Sequence, residues 1–166
     1  MGPDPDARKH ALRLFTYGLH AIGVQTRHAN GATANAFLAN WLTQVSFDPP
    51  LVALSVERDA WSWPVIESTG TFTINVLASG QRDLAGNLGK SRHKVGDKLA
   101  AIPWRPAPIT GCPVLHEHAL AYLECRVRST HPAGDSWLVI AEILNAEALR
   151  DGDPLTMRET GFRHAG

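Results

Sequence analysis

Three places in this sequence carry side chains whose types and spacing could do chemistry. In "NAFLANWLTQVSFDPPLVALSV", residues 35–56, Asn40, Trp41, Thr43, Gln44 and Ser46 crowd one short run before Pro49 and Pro50 fix the backbone and an apolar strand begins. Such side chains could meet a ligand, or be ordinary strand residues and packing aromatics. Within "LVALSV" the one polar side chain is Ser55, which wants a hydrogen-bonding partner. The third place is "HEHALAYLE": His116 and His118 stand two apart, so on a strand they would share a face, with Glu124 further along. The glutamate comes too late for a compact ligand set. Cys112 and Cys125 have no second cysteine at ligand spacing, so surface histidines leading into a strand are expected rather than a metal centre.

Other signatures are missing. There is no GxSxG elbow, no GxxxxGK[ST] phosphate loop and no GxGxxG following a strand, which disfavours the common hydrolase and nucleotide-binding folds. Sixteen basic residues balance sixteen acidic ones, so no net field attracts nucleic acid or an anionic membrane. Any phosphate must be met locally. Two cysteines in a chain without a secretory apolar segment fit a reducing cytoplasm, where both stay thiols.

The elements that must position these groups read as mostly β. Residues 20–26, 50–56, 71–77, 119–127 and 137–144 are short, often β-branched runs bounded by Gly, Pro, Asn or Asp. In "ALAYLECRV", Leu120, Tyr122, Glu124 and Arg126 share an amphipathic face and Ala121, Leu123, Cys125 and Val127 an apolar one, so only the apolar side is expected to meet the core. Short helices are expected over 59–70, closed by Gly70, and over 81–91. Residues 1–11 form a flexible lead-in, from which a helix capped by Asp6 would present Ala11, Leu12, Leu14 and Phe15 along one side. At 166 residues, with no repeat and no linker, a single domain is expected over 12–166.

The segment "WLTQVSFDPPLVALSVERDAWSWPVIESTGTFTINVL" resembles the flavin reductase-like family of FMN-binding split β-barrels. There a polar strand ends in a Ser-hydrophobic-Asp-Pro-Pro turn, and an apolar strand, a short helix and a Gly-x-Phe-x-x-Asn-Val-Leu strand follow. The likeness continues through "LAGNLGKSRHKVGDKLAAIPW", "GCPVLHEHALAYLECRV", "HPAGDSWLVIAEI" and "LTMRETGFRHAG". It implies an all-β fold with short peripheral helices: a six-stranded, Greek-key split barrel, paired into a homodimer with two FMN sites at the interface.

FMN joins an apolar ring with a polar edge to a hydroxylated chain and a phosphate, so its site must mix flat surfaces, hydrogen-bonding groups and a cation. By resemblance, Asn35, Ala36, Phe37, Leu38, Asn40 and Trp41 run along the ring edge. Ser55, Val56 and Glu57 lie near the chain and phosphate, and Trp61 and Ser62 open a helix with N–H donors. Asn87 and Leu88 close over the cofactor, and Arg58 or Lys90 neutralises the phosphate.

One departure stands out. The family commonly has Gly-Asp-His where this chain has Gly134, Asp135 and Ser136, and that histidine is associated with the nicotinamide side. His164 in the tail is the candidate replacement, and Met157, Arg158, Glu159 and Thr160 resemble a region near the dinucleotide. The resemblance implies a flavin reductase, with FMN or alternatively FAD as cofactor and NAD(P)H as hydride donor. It would supply oxygen, iron or a partner monooxygenase, and no side-chain acid or base is required. The alternative is an FMN-binding electron-transfer or carrier module without productive NAD(P)H binding.

Overall fold

The computed structural model describes residue 2 and residues 4–164. The chain opens with α1 (Pro5–Arg13), which is capped by Asp4 rather than Asp6: the Asp4 carboxylate accepts from the Asp6 N–H at 3.0 Å, and Pro5 sits in the first turn. No residue of α1 is buried, and Leu14 and Phe15 beyond it are exposed, so its expected apolar side faces no core.

Next come β1 (His20–Gln25), β2 (Ala34–Ala39), β3 (Leu42–Ser46), β4 (Leu51–Glu57), α2 (Ser62–Thr69) and β5 (Thr71–Val76). A long excursion carries α3 (Arg82–Leu88), α4 (Arg92–Val95), β6 (Arg105–Pro106) and β7 (Pro113–Val114). The chain then returns through β8 (Ala121–Ala133) and β9 (Ser136–Ala148) and ends with α5 (Met157–Thr160). One antiparallel sheet holds seven strands in the order β2-β1-β5-β8-β9-β4-β3, and β6 pairs with β7 separately.

Seven strands replace the six expected because the polar run is broken: β2 ends at Ala39 and β3 starts at Leu42. These two consecutive strands form opposite edges of the sheet, joined only by Asn40 and Trp41. The sheet therefore curls until its edges meet end to end, and the break is the place where a groove can open. Inside the curl, Ile22, Leu54, Val56, Ile66, Phe72, Ile74 and Val139 pack together. A second cluster, with Leu19, Ala36, Leu77, Leu88, Leu115 and Leu155, fastens the excursion to the outside of the sheet. Gly23 is needed where the two meet, because a Cβ there would run into Thr73 Oγ1 and the Pro113 carbonyl.

The reading of residues 119–127 requires correction. Tyr122 and Glu124 are buried, while Leu123 on the supposedly core-facing side is only half-buried. The Glu124 carboxylate accepts from the Ile109 and Thr110 N–H groups at 2.9 and 2.7 Å, from Thr110 Oγ1 at 3.0 Å and from Asn145 Nδ2 at 2.9 Å. It braces the β6–β7 turn against the sheet. His116 and His118 lie in the turn before β8, not on the strand.

Candidate functional site

A groove of about 830 Å³ opens at the break between β2 and β3. Asn35, Phe37, Leu38 and Ala39 of β2 line it, followed by Asn40 and Trp41 of the break itself. Ser55, Val56 and Glu57 at the end of β4 form the adjoining wall, with Trp61 and Ser62 at the start of α2. Leu88 and Lys90 follow from the end of α3, Ser136 from the start of β9, and Met157 and His164 from the tail. Fifteen of the residues singled out by sequence thus meet at one place, although they come from six separate stretches of chain.

The polar floor is specific. Asn35 is 1% exposed, and its Nδ2 donates to Ser62 Oγ at 2.9 Å, which leaves Asn35 Oδ1 buried without a hydrogen-bond partner. A buried amide oxygen is costly to leave unpaired, so a ligand donor is the natural complement. The first turn of α2 has no side-chain cap, so Trp61 and Ser62 bring unpaired backbone N–H groups to the same wall. Ser55 N–H donates to the Trp41 carbonyl at 3.0 Å, which registers the break against β4. Above it the rings of Trp41 and His164 meet at 4.9 Å between centroids and 53°. Asn40 Nδ2 lies 3.9 Å from Met157 Sδ, so the tail and the break touch twice.

At the other end the groove is cationic. Lys90, Arg92, His93, Lys94 and Lys98 all line it, opposed there by Glu57 and Asp59. The Arg92 guanidinium lies 4.4 Å from the Trp61 ring centroid and 3.5 Å from Asp97 Oδ1. Burial, reinforced by the neighbouring Arg92 charge, lowers Lys98 to about 8. Apart from Lys90, sequence reasoning missed this basic stretch, because clustered surface cations usually signal nothing but solvation.

Six anticipated residues lie outside the groove lining. Ala36 points into the second core cluster. Arg58 donates to the Gly134 carbonyl at 2.8 Å and covers the Trp137 ring at 4.6 Å, so its charge is spent on the β8–β9 turn. Asn87 accepts from Lys90 Nζ at 3.2 Å. Arg158 lines a neighbouring cleft with Phe15 and Tyr17. Glu159 accepts from Ser79 Oγ at 2.6 Å and the Gly80 N–H at 2.7 Å, and Thr160 is buried in the cap of α5. These bonds fasten the tail that carries His164.

An elongated groove with an unpaired amide oxygen, two uncapped N–H groups, aromatic faces and a cationic end has the donor set that a phosphorylated flavin requires. The comparisons agree. The flavin reductase like domain model matches residues 12–166. A flavin-dependent monooxygenase reductase subunit, HsaB, from Mycobacterium tuberculosis is 34% identical over 143 residues, covering 84% of this chain and 70% of that protein. The reductase component of 4-hydroxyphenylacetate 3-monooxygenase from Thermus thermophilus is 31% identical and covers 95% of each chain. Among solved structures, the NADH:FAD oxidoreductase SgcE6 of Streptomyces globisporus superposes with a TM-score of 0.74 at 26% identity, covering 89% of this chain and 87% of that one.

Proposed function

We propose, from the premise that this chain belongs to the flavin reductase like domain family, that it is an NAD(P)H-dependent flavin reductase supplying reduced flavin to a partner monooxygenase or another acceptor. The observation that carries the reading is the unpaired Asn35 Oδ1 and the cationic rim lying in one groove with Phe37, Trp41 and Trp61. The relatives named above, two of them reductase parts of monooxygenases and one an NADH:FAD oxidoreductase, support it.

A bound flavin supplies the acceptor for the nicotinamide hydride and the electrons passed on to the next molecule. The chain binds and orients. Phe37 and Trp41 offer flat apolar faces, Asn35 and the start of α2 offer hydrogen bonds along a polar edge, and Ser55 offers a hydroxyl. Lys90 and Arg92 would hold the phosphate, which FMN and FAD both carry. His164, held over Trp41 by the fastened tail, excludes water from the outer face and offers a surface for the nicotinamide. No residue here needs to move a proton for hydride transfer.

Val45 on the outer edge strand β3 and Phe47, 89% exposed in the turn just after it, are large apolar side chains facing outward, and a homodimer with Greek-key strand connections in each copy would cover them. A second reading, an FMN-binding carrier module, draws on Ser136, which is 3% exposed, lines the groove and has no imidazole to offer. An anaerobic absorbance titration of the flavin-loaded protein with NADH and then NADPH separates the two. Bleaching of the oxidised band by either nucleotide establishes the reductase; a flavin that only dithionite bleaches establishes the carrier.

A further inference from the structure

Residues 89–97 are mostly exposed and polar, so no apolar core fixes the shape of a loop that brings several cations to the groove. Its middle is the single turn α4, held by its own backbone bonds, and two side chains fix how that turn is placed. Lys98 Nζ donates to the Leu88 carbonyl at 2.7 Å and to the Lys90 carbonyl at 3.0 Å, closing the loop at its neck. The Leu88 carbonyl belongs to the last turn of α3, where helix carbonyls lack intrahelical partners and attract a positive charge. Inside the loop, Arg92 rests on Trp61 and keeps Nη1 buried, 3.5 Å from Asp97 but without a hydrogen-bond partner. A buried guanidinium N–H that is ion-paired with Asp97 but makes no hydrogen bond is the second sign that an anion can be received there.

We infer that Lys98 is the positioning residue for the flavin phosphate: its two carbonyl bonds hold the loop in the shape that presents Arg92 and Lys90 to that phosphate. The inference rests on the groove being the flavin site. An ammonium suits the task because it is a compact charge with three donors, able to gather two carbonyls that a planar guanidinium would meet less directly. The site selects a flavin that carries a phosphate over one that does not, and Lys98 confers the selection without touching the ligand.

The test is a fluorescence titration of riboflavin, FMN and FAD into the wild type, Lys98→Met and Lys98→Arg. Loss of the ammonium should raise the dissociation constants of FMN and FAD by roughly tenfold or more, the scale of one charge-assisted contact, and that of riboflavin by less than about twofold. The arginine variant should recover part of the loss, because it restores charge and donors but meets the two carbonyls less directly. Arg92→Gln leaves the neck of the loop intact and should reproduce the phosphate-selective loss, which covers the case of a misfolded methionine variant. Unchanged FMN binding in Lys98→Met overturns the inference, whatever Arg92→Gln does, and so does an equal loss of riboflavin, which would make Lys98 a prop for the fold alone. A wild type that binds riboflavin as tightly as FMN also overturns it while leaving the flavin reading intact; a wild type that binds no flavin defeats both.

Discussion

Asn35 reaches across from β2 to the first residue of α2 and donates from Nδ2 to Ser62 Oγ at 2.9 Å, which turns its own Oδ1, buried and unpartnered, toward no other group of the protein. The strand and the helix are thereby tied together by half of an amide, and the other half is kept in reserve. That asymmetry separates binding from stability. Asn35→Leu removes one hydrogen bond but also removes an unpaired buried oxygen, so the flavin-free protein should lose no more than about 1 kcal/mol. Flavin affinity should fall about tenfold, because a ligand donor loses its acceptor. Thermal melting without flavin and a fluorescence titration read the two effects separately; parallel losses would make Asn35 a structural residue only.

His164 and Trp41 predict a different split. Their rings touch at 4.9 Å, and the tail behind His164 is fastened by Glu159 on Ser79 and by Arg82 Nε on the Thr160 carbonyl at 2.8 Å. His164→Ala should lower kcat/KM for NADH by roughly fivefold to tenfold, the scale of one aromatic contact, and leave flavin affinity unchanged. Adding Ser136→His should recover part of the loss if the two imidazole positions serve the same face of the groove. Steady-state rates at saturating flavin decide this, and a His164→Ala enzyme with wild-type kinetics removes the tail from the nicotinamide side.

How much of this was legible in the residues depends on where each partner lies in the chain. β1, β4, β5 and β9 sit where the β-branched runs and their Gly, Pro and Asp boundaries put them, because strand-forming patterns are local. Glu124 was misread for the opposite reason: its acceptors are filled by backbone N–H groups of Ile109 and Thr110, which no pattern in "ALAYLECRV" announces. Ala36 and Asn35 show the same limit at the site, since a contiguous motif carries both while a strand sends neighbouring side chains to opposite faces. The loop that presents Arg92 was invisible because its neck is closed by Lys98 gripping two carbonyls, and backbone carbonyls have no sequence signature.

Glu124 itself carries a stability prediction. Burial pushes its carboxyl up, but the bonds from Asn145, Thr110 and Ile109 outweigh it and hold the pKa below the usual glutamate value. A depressed folded pKa contributes stability that is present above the unfolded value and is lost as pH falls through the folded one, so this contribution should fade in the acid range below the ordinary glutamate pKa. Glu124→Gln puts an N–H₂ among donors and should destabilise by about 3 kcal/mol with flavin affinity unchanged and no response to added metal or EDTA. Urea unfolding at neutral and acid pH measures both effects, and a metal-dependent change in activity would count against the bracing role.

Phe47 tests the dimer. A phenyl ring 89% exposed in the turn just after the edge strand that carries Val45 calls for a cover, and a second copy is the proposed one. Phe47→Asp should shift the protein from dimer to monomer in sedimentation experiments at micromolar concentration. A wild type that sediments as a monomer ends the dimer proposal.

Lys98 gives the groove a pH dependence whose sign follows from its environment. Burial and then Arg92 lower its ammonium from the ordinary lysine value to about 8. A phosphate at the rim favours the charged form, so FMN binding should raise that value and take up a proton when the pH lies above it. Affinity for FMN is then greatest below about 8, with Lys98 charged, and falls as pH rises through that value, whereas riboflavin shows no such step. The other charged groups at this end are Lys90, Arg92 and Lys94 on the loop, Asp97 beside Arg92, and Glu57 and Asp59 across the groove, and the loop also carries the imidazole of His93. Stability of the flavin-free protein moves the other way. Between about 8 and the unfolded value of 10.5 the unfolded chain holds the proton that the folded one has released, so Lys98 opposes folding fully below that window and progressively less across it. Titrations of FMN and riboflavin from about pH 7 to about pH 9, in the wild type and in Lys98→Met, isolate the group. A step that persists without the lysine, or that riboflavin shares, assigns the titration to another residue.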